Sequence, residues 1–466
     1  MHKQMDSTAT AGAAPSVPGV LVSIFVPDTH PLLRLKAALD WEAITAVMNQ
    51  HWRQAGKNVD GGRGLPWPSA FYARVLVLMW LEGLHARQME KYISESVVAR
   101  CFLELTHEPQ LHLRDHANLA RADAALGAAG KAAVNALILH QAEELQFTNG
   151  KVLSSDTTVQ EPALGYPNEP GILKGWAERL GRSFKKLAAR GVADAQAGLE
   201  KTKEMLRQVK QHHLFAKTKA EKKELLQQLV TTSEEMLKQT QAVIQAVSTR
   251  CGQAKQKAAA KLKDLVAVGR RLLPQIKHWL TTGKVAAGKI IHVGLAAARA
   301  IVKSGRRVKF GFKWRINRLQ GGYVFGQRVG AQADENRQPL GALQDYRKVF
   351  GKEATPEMVV YDRGASAAAA APALHKQGVQ QVGIPPRGQG AWLVEEAEQK
   401  VVKSERGKTE GSIGQLKSRK YGFSGRQERS LQTQEGAGQR AIVSANLNTL
   451  LRDLLKQKQA ASAAQA

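Results

Sequence analysis

Cysteine is nearly absent from this chain of 466 residues: only Cys101 and Cys251 occur, in unrelated contexts. That excludes a disulfide framework and a cysteine-zinc site, and a reducing compartment is the natural setting. Long apolar runs are also missing. Val75 to Leu81 and Ile290 to Val302 are too short or too charged to cross a bilayer, so no membrane is expected as a partner. Val20 to Val26 is short, stands between Pro18 and Pro27 and lacks the basic leader of a secretory signal. The chain therefore reads as cytoplasmic. His212 and His213 have no ligand partners at metal-site spacing and read as surface residues of a helix.

Acids are the other shortage. Asp and Glu number 40 against 68 Lys and Arg, which leaves a formal net charge of +28. The excess is concentrated. Residues 201–310 hold 24 basic and 6 acidic side chains, whereas residues 1–150 hold 13 and 14. A polyanion is the direct inference, and binding to it should weaken steeply with salt as counterions are released.

Against that deficit, three acids stand in informative settings. Asp156 ends the β-branched stretch Lys151-Val-Leu-Ser-Ser-Asp156-Thr-Thr-Val159, which follows the turn pair Asn149-Gly150. Asp362 closes the apolar run of Glu357-Met-Val-Val-Tyr-Asp362-Arg-Gly364, as expected where a buried strand meets a polar rim. Glu410 lies in Arg406-Gly-Lys-Thr-Glu410-Gly-Ser-Ile-Gly-Gln-Leu-Lys417, where spacings of four and seven stack Arg406, Glu410 and Lys417 on one helical face. Taken singly, either aspartate could be a turn former and Glu410 a solvated helix carboxylate paired with Arg406. Together they suit two divalent ions about 4 Å apart, which need hard oxygen ligands, with Arg and Lys holding phosphate oxygens nearby. Gly407, Gly411 and Gly414 would each cost a helix interior roughly 1 kcal/mol relative to alanine, so their clustering implies close approach of a backbone or of DNA, or else a loop in place of a helix.

These segments resemble the DDE transposases of bacterial insertion sequences. The family signature of Tyr, two residues, Arg, three residues, Glu, six residues, Lys is matched at Arg406, Glu410 and Lys417, with Lys403 in place of the tyrosine. Ser154-Ser-Asp156-Thr-Thr-Val-Gln-Glu161 with Tyr166-Pro167, Tyr361-Asp362-Arg-Gly364 and Leu416-Lys-Ser-Arg-Lys-Tyr-Gly422 are also similar to family segments. So is the stretch from Leu84-His-Ala-Arg-Gln-Met-Glu-Lys-Tyr92 through Arg100-Cys-Phe-Leu-Glu-Leu105. The resemblance covers most of residues 30 to 450 outside one long insertion. It implies metal-dependent cleavage at transposon ends and strand transfer into target DNA. Asp156, Asp362 and Glu410 would bind Mg²⁺, with Mn²⁺ as substitute, and Arg406 and Lys417 would position phosphates. Double-stranded DNA would be the partner, a homodimer or higher assembly the working form, and the nucleoid the place of work. The lysine at 403 bears only on what a tyrosine would do there. A ribonuclease H-like nuclease without strand transfer, or a non-catalytic DNA-binding protein derived from a transposase, would share parts of the pattern.

Periodicity organises the rest. Phe71 to Leu84 and Gln88 to Leu105 predict two packed helices, either a helix-turn-helix or a helical packing domain, with Asp115-His116 and Arg121 read as structural. Leu225, Leu226, Leu229, Val230, Met236, Leu237, Val243, Ile244 and Val247 predict a long amphipathic helix. Gly252, Gly269 and Pro274 should interrupt a second helical stretch, giving a hairpin or small bundle that is either a structural arm or a DNA-contacting one. Val308 to Ile316, Gly321-Gly322 and Tyr323 to Val329 predict a β-hairpin. A helix (Leu340 to Phe350), a strand (Met358 to Tyr361), a helix (Ser366 to Lys376) and a strand (Val379 to Ile384) follow. The order strand, insertion, hairpin, helix, strand, helix, strand, helix resembles a ribonuclease H-like fold. The expectation is an all-α N-terminal domain, possibly DNA-binding, over 26–147, after a flexible leader over 1–25. An α/β ribonuclease H-like catalytic domain then covers 148–176 and 305–455, a basic helical insertion 177–304, and a flexible tail 456–466.

Overall fold

The computed structural model describes residues 26–59, 68–105, 116–192, 194–247, 252–302, 308–386, 388, 390–425 and 430–465. The leader over 1–25 and Asp115 lie outside the described residues.

Six helices form the amino-terminal part: α1 (Pro31–Ala38), α2 (Trp41–Gln54), α3 (Ser69–Leu81), α4 (Ala86–Glu95), α5 (Val97–Phe102) and α6 (His116–Glu144). Their starts follow from local chemistry. Asp40 caps α2 by accepting the Ala43 amide, and His85 and Gln88 form a reciprocal capping box on α4. The single helix expected from Gln88 to Leu105 is two, because Ser96 turns the chain and caps α5 by accepting the Ala99 amide. Helix α3 is apolar all round, and Tyr72, Ala73 and every residue from Val75 to Leu81 are buried. It is the centre of this core. Helix α6 is long and apolar enough to cross a membrane. Gly127 breaks it, however, with φ of 66° and ψ of −168°, and its buried side belongs to the core. Trp52 and Trp80 lock it in place, their indole N–H groups donating to the Ala122 carbonyl and the Asp123 carboxylate, each at 2.9 Å.

The sheet has six strands: β1 (Val152–Gln160), β2 (Arg299–Val302), β3 (Val308–Arg318), β4 (Val324–Arg328), β5 (Met358–Val360) and β6 (Gln381–Gly383). Its order is β2-β3-β1-β5-β6, with β4 also paired to β3. Strand β1 runs antiparallel to β3 and parallel to β5, and β5 runs parallel to β6. The predicted hairpin is β3 and β4, turned at Gly321 and Gly322 with φ of 81° and 97°. A side chain at Gly321 would also meet the Phe147 carbonyl at 2.3 Å. Strand β2 lies inside the stretch assigned to the insertion. Its four residues, half of them exposed, leave too short an alternation to read.

Helices α7 (Glu169–Ala188), α8 (Ala195–Phe215), α9 (Lys219–Ala246) and α10 (Gln253–Thr282) stand between β1 and β2 as a bundle with its own core. Its first helix begins at Glu169, ahead of the expected boundary at 177. The expected break in α10 does not occur. A side chain at Gly269 would lie 2.6 Å from the Trp176 ring, so the glycine lets α10 pack onto α7. Pro274 costs a helix interior about 3 kcal/mol, but Leu272, Leu273 and Ile276 around it are buried, and that packing carries the helix through.

Helices α11 (Gln338–Phe350), α12 (Ala367–His375), α13 (Glu396–Leu416) and α14 (Leu431–Gln465) complete the chain. Helix α14 runs to Gln465, through the stretch assigned to a frayed tail. Leu447 and Leu450 of α14, Val134 and Ile138 of α6, and Leu153 and Val359 of the sheet share one core cluster, so the helical head and the sheet are packed as one body. On the other face Phe312, Trp314 and Ile316 meet Ile413 and Leu416 of α13 and Ile442 of α14.

A buried ion pair ties α11 to this sheet. Asp345 Oδ2 accepts from Arg315 Nε and Nη2 at 2.8 and 2.7 Å and from Asn317 at 3.2 Å, while its Oδ1 accepts from Gln327 at 2.6 Å. Both charged residues are 5% exposed. Removing one partner would strand the other charge, so Asp345→Ala should lower unfolding free energy by about 3 to 5 kcal/mol in urea titrations. The double variant Arg315→Met/Asp345→Leu should lose much less.

Candidate active site

Strands β1 and β5 are in parallel register, Val152 opposite Met358 and Ser154 opposite Val360. Asp156 and Asp362 are each two residues further along, at the same end of neighbouring strands. Asp362 lies just past β5, as its setting predicted. Asp156 lies inside β1, paired on its other side with Ile316 of β3, and marks the point where its parallel neighbour has ended. Its Oδ1 accepts the Thr157 amide at 2.6 Å. Asp362 Oδ1 accepts the Arg363 amide at 2.8 Å and Arg406 Nη2 at 2.5 Å.

Glu410 comes from α13, which is one continuous helix through Gly407, Gly411 and Gly414. The loop alternative is thereby removed. Apart from the backbone of α13 itself, no atom of the described residues lies within 4 Å of where a side chain would start on any of these glycines, so they do not serve close packing among those residues. Val402, Glu405, Thr409, Ile413 and Leu416 form the buried stripe of α13. Lys403, Arg406 and Glu410 lie on a face that lines a cavity. Two polar contacts fix this rotation of the helix. Arg318, at the end of β3, donates to Glu405 at 2.5 Å, with both residues under 9% exposed. The Thr409 hydroxyl donates to the Ser154 hydroxyl at 2.7 Å, two residues before Asp156. Burial pulls the Arg318 guanidinium below its ordinary pKa, and the Glu405 carboxylate works against that pull.

The cavity holds about 640 Å³ and is lined by Asp362, Lys403, Arg406, Glu410, Trp392 and the Pro385-Pro386 pair among others. Arg406 lies between two of the acids, 2.5 Å from Asp362 and 3.9 Å from Glu410. The second contact joins half-exposed groups at i and i+4 and is worth only a few tenths of a kcal/mol, so Arg406 belongs with Asp362. Lys403 stands over the Trp392 ring at 5.8 Å. Lys417, expected beside this set, is the cap residue of α13 and does not line the cavity.

Sequence reasoning missed a fourth carboxylate. Glu335, in the turn before α11, accepts from Lys313 at 2.6 Å, from the Thr157 hydroxyl at 3.3 Å and from the Tyr361 hydroxyl at 2.7 Å. It thus holds the residue after Asp156 and the residue before Asp362. Burial, then the Glu335 and Asp156 charges, push the Tyr361 hydroxyl far above its usual pKa, so it stays a donor. Asn336 accepts the Ser366 amide at 2.7 Å and clamps the turn that follows Asp362. The one available signal was an acid–acid–amide turn, Asp334-Glu335-Asn336, directly after the hairpin.

The donor set is all carboxylate oxygen, which suits hard divalent cations. Two donors are fixed by the sheet and the third rides on an exposed, rotatable side chain. Among the described residues no three His, Cys, Asp or Glu side chains converge closely enough to hold one ion together.

Residues 21–123 match the family model for "Transposase domain (DUF772)". The helical head is similar to a transposase domain. That match supports a transposase family and covers less than half of the chain, ending before the strand that carries Asp156. No curated protein and no solved structure matches the chain.

The Arg318–Glu405 pair predicts a measurable coupling. Glu405→Gln should cost about 3 kcal/mol in denaturant titration and raise amide exchange along 396–416. Arg318→Met/Glu405→Met should recover most of that stability.

Proposed function

We propose that this protein is a DDE-type DNA transposase with a ribonuclease H-like catalytic fold, which cleaves DNA at insertion-sequence ends and transfers the freed strands to target DNA. The observation that carries the reading is the placement of Asp156 and Asp362 at one end of the adjacent parallel strands β1 and β5, with Glu410 on a helix pinned to β1 and β3. The chain order of strand, bundle, three strands, helix, strand, helix, strand and helix supports the fold. The transposase-domain match of the head supports the activity.

Asp156, Asp362 and Glu410 would hold Mg²⁺ or Mn²⁺, which supply charge neutralisation and nucleophile activation in phosphodiester chemistry. The protein's own groups supply position. Glu335 holds the side chains of Thr157, next to Asp156, and Tyr361, next to Asp362, and the buried stripe of α13 orients the helix that carries Glu410. Arg406 and Lys403 line the same cavity and offer donors to nonbridging phosphate oxygens. Gly407, Gly411 and Gly414 leave the exposed side of α13 low enough for a DNA backbone to approach. Lys417 would contact phosphate further along the helix. Joining two ends calls for at least two protomers on the DNA.

Cleavage and joining of DNA that carries the flanks of the gene test this reading. Asp156→Asn, Asp362→Asn and Glu410→Gln should each lower the Mg²⁺-dependent rate about 100- to 1,000-fold with the fold intact. Wild-type rates in the Glu410→Gln protein would refute the assignment. Cleavage without joined product would leave a ribonuclease H-like nuclease. A DNA-binding descendant without catalysis is favoured by one observation, the engagement of Asp362 by Arg406, and predicts no cleavage at any metal concentration.

Glu335→Gln should lower the rate about 10- to 100-fold and shift the Mg²⁺ dependence to higher concentration. A change in stability with an unaltered metal profile would reduce Glu335 to a structural role.

A further inference from the structure

The strongest charge feature outside the carboxylate cavity is a groove of about 810 Å³ between α7 and α10. Arg179, Arg182 and Lys186 enter it from α7 at spacings of three and four, Arg190 follows just past the end of α7, and Lys257 and Lys261 face them from α10. One face of each helix is therefore a row of cations. Asp264 is the one acid among the lining residues.

Several cations elsewhere on the bundle are paired. Lys201 meets Glu204 and Glu235, Lys203 meets Glu200, Lys277 meets Glu234, and Lys289 meets Glu169. Among the described residues none of the six groove cations has an ion pair. Arg179 has its guanidinium packed over Gly294, where a side chain would come within 1.8 Å of it. Burial and then the neighbouring Arg182 hold its pKa below the ordinary value, against the pull of Glu178. Unneutralised like charges on a concave wall raise the local potential for an anion. The groove is open, and exposed lysine and arginine wall it.

We infer that the groove between α7 and α10 seats the sugar-phosphate backbone of duplex DNA. From Arg179 to Lys186 the helix rises about 10 Å, enough to follow about three phosphates of one strand at roughly 3.4 Å each along the duplex axis. The groove ends at Gly294 and Ser430, where the bundle meets the body that carries the three acids, so a duplex held there continues toward that body. The choice of DNA over another polyanion rests on the transposase reading.

The test is binding of a fluorescent DNA duplex to the full chain across a series of salt concentrations. Arg182→Gln/Lys186→Gln/Lys261→Gln should reduce the slope of log affinity against log salt by about three and weaken binding about 10- to 100-fold at moderate salt. Lys219→Gln/Lys223→Gln/Lys238→Gln removes the same charge from exposed sites outside the groove and should change the slope by less than about one. Circular dichroism checks that both triples fold. Equal losses in the two triples, a groove triple with the wild-type slope, or a wild-type chain that does not bind would each overturn the groove. Cleavage is scored on the same samples. Groove-dependent binding without cleavage removes the catalytic reading alone, and cleavage with binding indifferent to the groove triple removes the groove alone.

Discussion

Everything at the acidic end of the sheet depends on how α13 is rotated against β1 and β3. A helix with Glu405 and Thr409 on its buried stripe would ordinarily be disfavoured, since an unpaired buried carboxylate costs several kcal/mol. Arg318 and Ser154 make that stripe acceptable in one rotation only, the one that brings Glu405 onto the end of β3 and Thr409 beside β1. Because 3.6 residues complete a turn, Arg406 and Glu410 then point away from this stripe and toward the cavity next to Asp362. The buried pair is a poor source of net stability and a good source of register.

The same end of the sheet is held from below by Glu335. It joins Lys313 of β3, Thr157 of β1 and Tyr361 of the β5 exit, so three strands share one carboxylate beside the proposed catalytic aspartates. Arg315 and Asp345 repeat the device deeper in the sheet, where one carboxylate collects donors from β3 and β4. Polar groups of this kind specify strand alignment where the apolar residues of the core, which tolerate exchange, would not.

Charge is divided between these regions with little overlap. The acids that matter sit at strand ends and on α13, while the uncompensated cations sit on the bundle, which is inserted after β1 and returns at β2. The head contributes its core to the sheet, and its most apolar helix, α3, is buried at its centre. The excess of positive charge thus falls on the insertion, in contrast to a head whose charges nearly cancel.

Local pattern alone determined much of this. A β-branched stretch after the turn pair Asn149-Gly150 marked β1, and roughly alternating stretches around Gly321-Gly322 marked the β3–β4 hairpin. The recurring leucines and valines marked α9, and the spacing of Arg406, Glu410 and Lys417 put three charged groups on one helix. Those signals travel with the chain because they depend on neighbours within a turn or two. Other features were decided only by residues distant in sequence. Gly269 and Pro274 read as helix breakers until Trp176 packs against the one and buried leucines flank the other. Strand β2 exists because β3 offers it an edge, and Glu335 acquires its place from Thr157 and Tyr361, 178 and 26 residues away. Lys417 shares a helical face with Glu410 by spacing, yet the cavity ends before it. Periodicity tells which residues share a face; only packing tells what that face meets.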